Sequence, residues 1–285
     1  MKEIVILSGK GGTGKTTLTA SLSVLVKDKI IADCDVDAPD LHLLLSPEIK
    51  ERKDFKGGTE VKINNEECIE CGLCRELCKF EAISEDFIID DFLCEGCGLC
   101  FHACPQKAIK MEIQTSGYIY LSQTRYGEFV HAQLFPGEEN SGRLSAEVKN
   151  MAREIGIRKN KKYIIIDGPP GIGCPVISSL SGADLAIIIT EPTQSGISDL
   201  ERIIQLSQFF KIESKIIINK YDINPRISEE IEKFGYRTGI EILSKIPFSE
   251  EVVEALKNKI PVAEYSKGIV YREILKIKEK IFGND

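Results

Sequence analysis

Residues 3–17, EIVILSGKGGTGKTT, decide the fold. The first six residues are mostly apolar and β-branched, which is typical of a buried strand in a parallel sheet. A glycine-rich turn follows, and apolar residues then recur at helical spacing at Leu18, Leu22, Leu25 and Val26. The pattern Gly-x-x-x-x-Gly-Lys-Thr between a strand and a helix predicts a loop that binds the phosphates of a nucleoside triphosphate.

The residues of this loop have separate predicted tasks. Its glycines let backbone N–H groups turn inward around an anion, and the helix that follows adds partial positive charge at its N-terminus. Lys15 is expected to reach the β- and γ-phosphates, and the Thr16 hydroxyl to ligate Mg²⁺. The nucleotide-binding residues predicted here are Gly11, Gly12, Thr13, Gly14, Lys15, Thr16 and Thr17.

Strand and helix patterns alternate along the rest of the chain. Buried strand patterns occupy residues 30–34, 183–190 and 214–220, each next to helical patterns, and residues 118–134 read as a hairpin. This alternation predicts an α/β fold in which helices cover both faces of a mostly parallel sheet.

Aspartates follow two of the predicted strands. The segment KIIADCDVDAPDLHLLL places Asp33, Asp35 and Asp37 after one strand, and KKYIIIDGPPGIG ends another strand at Asp167. The carboxyl ends of parallel strands form the ligand crevice of an open α/β sheet. Carboxylates at that edge would repel phosphates unless a cation lay between them, so they predict Mg²⁺.

Eight of the ten cysteines lie in two runs, CIECGLCRELC at 68–78 and CEGCGLCFHAC at 94–104. Both runs have the form C-x₂-C-x₂-C-x₃-C, the spacing of bacterial two-cluster ferredoxins, in which the fourth cysteine of a run ligates the other cluster. We therefore predict two [4Fe–4S] clusters. One is assigned to Cys68, Cys71, Cys74 and Cys104, and the other to Cys94, Cys97, Cys100 and Cys78.

Zinc and disulfides are the alternatives for these cysteines. Structural zinc sites pair two C-x₂-C units across a longer spacer and need four ligands rather than eight, and disulfide frameworks are typical of short secreted chains. The segment resembles a ferredoxin. Lys79 follows the last cysteine of the first run, whereas a proline follows the last cysteine of the second run. The resemblance predicts a small α+β ferredoxin domain at 57–113, inserted between the two parts of an ATPase domain at 1–56 and 114–285.

The loop GKGGTGKTT and the two aspartate segments resemble the MinD/ParA superfamily of P-loop ATPases, which has a deviant Walker A loop. The resemblance implies that Lys10 reaches the partner's phosphates across a nucleotide-sandwiching homodimer. It also implies that Asp35 activates water, with Asp33 or Asp37 as fallbacks, and that Asp167 supports Mg²⁺ through its water shell. Lys10, Lys15 and Asp35 are thus the candidate catalytic residues.

The same resemblance bears on the base and on a ninth cysteine. NKYD at 219–222 matches the guanine-reading motif of GTPases, but in the ATPase family an asparagine at the position of Asn219 contacts adenine, and IPFSEEVVEAL, with Pro247, resembles the loop near the base. ATP is therefore the expected nucleotide. Cys174, seven residues after Asp167, is a possible cluster or redox residue, and the alternatives are a packed thiol or a relay near a ferredoxin cluster. Cys34, within an apolar strand, is expected in the core.

Composition limits the partners. A net charge of −7 and a pI near 5.3 argue against nucleic-acid binding, whose footprint is basic. No apolar run reaches transmembrane length, and the last helical pattern is expected to pack on the sheet rather than lie on a membrane. The N-terminal strand pattern runs straight into the phosphate loop, so we expect no cleaved signal there, and the clustered cysteines favour a reducing cytoplasm.

Together these patterns predict a cytoplasmic, homodimeric Mg²⁺-dependent ATPase. Its nucleotide state would control electron transfer from two [4Fe–4S] clusters to a protein acceptor. Two alternatives stay open: an ATPase that assembles or carries clusters for an accepting protein, and a positional ATPase resembling MinD.

Overall fold

The computed structural model describes residues 1–283, and these residues form two compact units. Unit 1 comprises Met1–Lys53, Ile119–Gln133 and the described part of Ser141–Asp285. Unit 2 comprises Asp54–Tyr118 and Leu134–Asn140, and residues 57–113 lie wholly within it.

Nine strands form one sheet. In chain order the strands of the molecule are β1 Lys2–Ser8, β2 Lys29–Asp33, β3 Glu48–Phe55, β4 Gly58–Ile63, β5 Ile109–Gln114, β6 Gly117–Thr124, β7 Gly127–Leu134, β8 Tyr163–Pro170, β9 Leu185–Thr190, β10 Glu213–Asn219 and β11 Ile242–Ile246. The large sheet has the order β11-β10-β9-β1-β8-β2-β7-β6-β3, and its pairs from β11 to β7 are parallel. The predicted α/β class, its mostly parallel sheet and the hairpin of β6 and β7 are confirmed.

Helices connect these strands. They are α1 Lys15–Leu25, α2 Leu41–Leu45, α3 Leu73–Leu77, α4 Leu99–Ala103, α5 Ser141–Arg158, α6 Cys174–Leu180, α7 Gln194–Phe209, α8 Pro225–Thr238, α9 Glu250–Lys257, α10 Val262–Tyr265 and α11 Ile269–Phe282. Throughout residues 1–283, each helix is too short or too polar to cross a bilayer.

The core of unit 1 surrounds the strand that leads into the glycine-rich turn. Ile4 and Ile6 of β1 are fully buried against Leu18 and Leu22 of α1, as the two apolar patterns predict. The same cluster contains Val270, Ile274, Ile277 and Phe282, so α11 packs its apolar side in the core. The expectation that the last helix packs on its own sheet is confirmed.

Strand β8 is longer than predicted. It continues three residues past Asp167 to Pro170, because β1 shifts register between Ile6 and Ser8 and brings Ser8 opposite Pro170. Asp167 is therefore not the end of its strand. It lies opposite Asp33, the last residue of β2, so the two carboxylates still meet where β2 stops.

Unit 2 is built from two similar halves offset by 26 residues, the interval from Cys68 to Cys94. Strands β4 and β5 pair antiparallel and join Ile63 to Ile109, and an isolated antiparallel bridge joins the equivalent residues Ile89 and Ile83. Helices α3 and α4 are related by the same offset. The two cysteine runs thus occupy equivalent places in an internally repeated structure.

Candidate nucleotide site and cysteine-lined cavities

The turn between β1 and α1 needs glycine at two positions. Gly12 and Gly14 have φ angles of 78° and 99°, in the left-handed region that side chains disfavour. A Cβ on Gly14 would also lie 2.6 Å from Asn219 Nδ2, which itself donates a hydrogen bond of 2.8 Å to the Thr13 carbonyl. Conformation and close packing together therefore fix the course of the loop.

Two buried carboxylates face the start of α1. Asp167 is 1 % exposed and accepts a hydrogen bond of 3.0 Å from the Thr19 hydroxyl, and the Thr16 hydroxyl opposes the rise of its pKa. Asp33 is also 1 % exposed; one of its oxygens accepts the Asp35 N–H at 3.1 Å, and Oδ2 has no protein partner among the described residues. A buried carboxylate oxygen without a partner is costly and marks a place where a ligand or solvent is expected.

Burial and mutual repulsion raise the pKa values of these carboxyl groups. The pKa of Asp33 is raised well above its usual range, first by burial and then by Asp167. Burial likewise raises the pKa of Asp167 to about 6 and that of Asp35 to about 6, while Lys15 opposes both shifts. Lys15 itself is 5 % exposed. Several carboxylates against one lysine make a site in which a divalent cation would relieve repulsion.

Replacing Asp35 by asparagine should stabilise the nucleotide-free protein in the presence of a chelator. Between its ordinary pKa of 3.8 and the folded value of about 6, the native state binds more protons than the unfolded state, so stability falls as pH rises through this window. Asp35→Asn removes that loss. We expect a gain of about 1–2 kcal/mol at pH 8 that shrinks as pH is lowered to 5, measured by thermal unfolding.

Asp37→Asn is the matched control, because the Asp37 side chain is exposed in the same segment. Equal stability of wild type and Asp35→Asn at pH 8 would contradict a raised pKa at Asp35.

A cavity adjoins the loop on the side of Asn219. Its volume is about 190 Å³, and its lining includes both residues predicted to lie near the base, Asn219 and Pro247. The apolar part of the lining includes Phe248, Val252 and Leu256. Asp222, the last residue of NKYD, accepts a 2.7 Å hydrogen bond from the Phe248 N–H and does not line the cavity.

Lys10 is engaged within its own chain. Its Nζ lies 3.4 Å from a Glu191 carboxylate oxygen and 3.4 Å from the Thr193 hydroxyl. Lys220 approaches the other oxygen of Glu191 at 2.5 Å, so one carboxylate holds two lysines beside the loop. Lys10 nevertheless remains about one-third exposed.

Sequence reasoning missed two of these residues. Thr19 sits one helical turn after Lys15 on the buried face of α1, and a threonine at that spacing among leucines was a usable signal. Glu191 directly follows β9, at the carboxyl ends of the strands, where the ligand-binding residues of parallel sheets lie. Nothing local in the sequence pairs Glu191 with Lys10, because their contact depends on the packing of β1 beside β9.

The family follows from comparison with known proteins. A model of the CobQ/CobB/MinD/ParA nucleotide binding domain matches residues 4–262. The chain belongs to the CobQ/CobB/MinD/ParA family. The glycine-rich loop, the buried carboxylates and Asn219 all lie within the matched range.

Relatives extend over the whole chain. An uncharacterized protein of Methanocaldococcus jannaschii is 37 % identical across 98 % of this chain and 96 % of its own length. The septum site-determining protein MinD of Bacillus subtilis is 26 % identical across 95 % of this chain and 86 % of its own. The structure of Pyrococcus horikoshii MinD complexed with Mg-ADP superposes with a TM-score of 0.60 at 19 % identity, covering 99 % and 96 % of the two chains, and so shares the fold.

Unit 2 contains two cysteine-lined cavities. One is lined by Cys68, Cys71, Cys74 and Cys104, and the other by Cys78, Cys94, Cys97 and Cys100. The structure therefore sorts the cysteines into the two sets that the spacing predicts, with the fourth cysteine of each run in the cavity of the other run.

The backbone around the two cavities is the same. Gly72 and Gly98 have φ angles of 78° and 75°, and the residues two positions before them, Glu70 and Gly96, are also left-handed, at 54° and 59°. A left-handed glutamate is strained, so its presence at the equivalent position indicates that the loop conformation itself is required. Such loops turn N–H groups toward an enclosed anionic group.

All ten cysteines are free of disulfides. In residues 1–283, no three or more His, Cys, Asp or Glu side chains are grouped as they would be around one metal ion.

The remaining cysteines and Lys79 lie elsewhere. Cys34 is fully buried, donates to the Ser145 carbonyl at 3.6 Å, and has its pKa raised to about 12 by burial, which confirms it as a core residue. Cys174 is exposed at the first residue of α6, and its redox role stays a prediction. Lys79 is exposed and does not line the cavity of the second run.

Proposed function

We propose that this protein is an Mg²⁺-dependent ATPase, active as a homodimer in the cytoplasm, whose nucleotide state controls electron transfer from two [4Fe–4S] clusters to a protein acceptor. In this proposal residues 57–113 form a ferredoxin domain, and residues 1–56 and 114–285 form the ATPase domain. The observation that carries the proposal is the sorting of eight cysteines into two equivalent cavities of four.

The cavities offer the four thiols that a cubic cluster needs. Each offers four thiols on a partly buried wall with apolar neighbours, Ile63 and Phe87 in one and Val61 and Ile89 in the other. Cys68, Cys71, Cys74 and Cys104 would hold one cluster, and the other four cysteines the second. When bound, such clusters supply one-electron storage and transfer.

The ATPase roles are assigned to residues around the loop. Residues 11–17, Lys15 among them, would hold the phosphates. Thr16 would be a direct Mg²⁺ ligand, and Asp167 would support the ion through its water shell. The Thr16 hydroxyl lowers the pKa of Asp167, and this interaction supports the pairing. Asp35, near Lys15 and with a pKa of about 6, would orient and deprotonate the attacking water.

ATP is the proposed nucleotide. The Asn219 amide lines the cavity beside the loop, and its walls are largely apolar, as suits a stacked base. The carboxylate of Asp222, which a guanine-reading site would aim at the base, instead accepts the Phe248 N–H. Lys10 would act across the dimer on the partner's phosphates, where a second cation stabilises the charge of phosphoryl transfer.

An anaerobic redox titration followed by electron paramagnetic resonance tests the proposal. The holoprotein should contain about eight iron and eight sulfide per chain, and MgATP should shift a midpoint potential by about 60 mV or more, a tenfold coupling for one electron. Lys15→Ala, which loses phosphate binding, should keep the iron and lose the shift. Absence of iron after anaerobic reconstitution would refute the cluster assignment, and an unchanged potential would refute nucleotide coupling.

A further inference from the structure

The two halves of unit 2 have the same backbone but different surfaces. Residues 64–67 and 90–93 form equivalent turns before the first cysteine of each run: the Glu67 N–H donates to the Asn64 carbonyl at 3.1 Å, and the Leu93 N–H to the Asp90 carbonyl at 3.2 Å. Side chains cap both turns in the same way, through Asn64 to the Glu66 N–H and through Asp90 to the Phe92 N–H.

The first turn presents Glu66 and Glu67, whereas the second presents Phe92 and Leu93. Phe92 is 98 % exposed and Leu93 50 % exposed. Because glutamates occupy the equivalent positions of the first turn, the fold does not require apolar side chains there. Exposure of an adjacent aromatic and aliphatic side chain to water is unfavourable in free energy, and the fold does not account for it. Such pairs act as anchors when a partner covers them.

Charge indicates the chemistry of that partner. Unit 2 holds 15 of the 44 acidic residues of the chain but 6 of the 37 basic ones, a net charge of −9, which leaves +2 for unit 1. From Phe80 to Gln106 the sequence contains six acidic residues and neither lysine nor arginine. Asp90, Asp91 and Glu95 flank the exposed pair directly.

We propose that Phe92 and Leu93 are the apolar anchor of a docking surface for a basic electron-exchanging protein, one with an apolar contact patch surrounded by lysine or arginine. The inference rests on the proposed function and deepens it, because Cys94 follows the anchor directly in sequence. Docking there places the partner at the cavity of Cys78, Cys94, Cys97 and Cys100, and makes that cavity the exit point toward the acceptor. The other cavity, behind a turn of glutamates, would face no partner.

The test uses oxidised holoprotein and oxidised cytochrome c, a basic one-electron haem protein, in isothermal titration calorimetry. No electron passes between oxidised partners, so the measurement reports docking alone. We expect saturable binding at low ionic strength that weakens steeply as salt is added, because screening shortens the reach of the acidic surface. Failure of the wild type to bind at low salt would overturn the proposal.

Phe92→Glu/Leu93→Glu is the informative variant. It installs the residues of the first turn, whose backbone already accommodates them, so the variant is expected to fold. Charge attraction alone predicts tighter binding, since two negative charges are added, whereas loss of the anchor predicts binding weaker by about tenfold. Phe92→Ala/Leu93→Ala should weaken binding by a similar factor without any change of charge. Equal or tighter binding by both variants would overturn the proposal.

Glu66→Gln/Glu67→Gln is the matched control in the first turn, and its binding should change by less than about threefold. Sedimentation of wild type and Phe92→Glu/Leu93→Glu distinguishes another occupant: if the variant dissociates a homodimer, a second copy of the chain covers the anchor and the proposal fails. Iron content of the same samples tests the proposed function separately. A preparation without iron that still binds cytochrome c through Phe92 would refute the clusters and leave the docking surface intact.

Discussion

Replacing Cys104 by serine should remove about half of the iron, leaving about four iron and four sulfide per chain. Cys104 belongs to the second run by sequence, yet it lines the cavity of Cys68, Cys71 and Cys74. Loss of one thiolate from a four-thiolate site is expected to abolish that cluster and spare the other. Iron and sulfide analysis of anaerobically reconstituted protein gives the count.

Paired substitutions separate the crossed assignment from one cluster per run. Cys68→Ser/Cys104→Ser removes two ligands of one cavity, so about four iron should remain. Cys68→Ser/Cys100→Ser removes one ligand from each cavity, so nearly all iron should be lost. The opposite outcome for the first pair, with all iron lost, would show that each run holds its own cluster. Cys174→Ser is the control, and it should keep about eight iron.

Local patterns in the sequence were enough to predict the parts of the fold that depend on local chemistry. The apolar strand, the glycine-rich turn and the helix from Lys15 are contiguous, and each is specified by its own residues. The cysteine sets were predictable for a different reason. The C-x₂-C-x₂-C-x₃-C spacing confines three cysteines to one loop, and the repeat supplies this loop twice.

Long-range packing explains what the sequence did not predict. Pro169 and Pro170 suggest the end of a strand, since proline cannot donate to a ladder. Strand β8 nevertheless runs to Pro170, because it lies beside the bulge of β1, where Gly171 rather than a proline donates to the Ser8 carbonyl at 2.9 Å. The contact of Lys10 with Glu191 likewise joins residues that only the assembled sheet brings together.

The position of Lys10 bears directly on whether it acts within one chain or across two. In this structure Lys10 contacts Glu191 and Thr193 of its own chain. The same contacts would be expected of a lysine that acts only on the nucleotide of its own chain. Lys10→Ala and Asp35→Asn should each lower ATP turnover by at least about a hundredfold, the first through loss of transition-state charge stabilisation and the second through loss of the base. Either result alone leaves the two arrangements indistinguishable.

Mixing the two variants resolves the question. In a mixed dimer, the chain carrying Lys10→Ala keeps Asp35 and would receive Lys10 from its partner, so one of its two sites regains every catalytic group. With random exchange between isologous dimers, turnover should recover to about a quarter of the wild-type rate per chain. A lysine that acts only on its own loop predicts no recovery, because each chain then lacks one group whatever its partner. Thr193→Ala is the control for the tether: it removes the 3.4 Å contact of Lys10 but no proposed catalytic group, and its turnover should stay within about threefold of wild type.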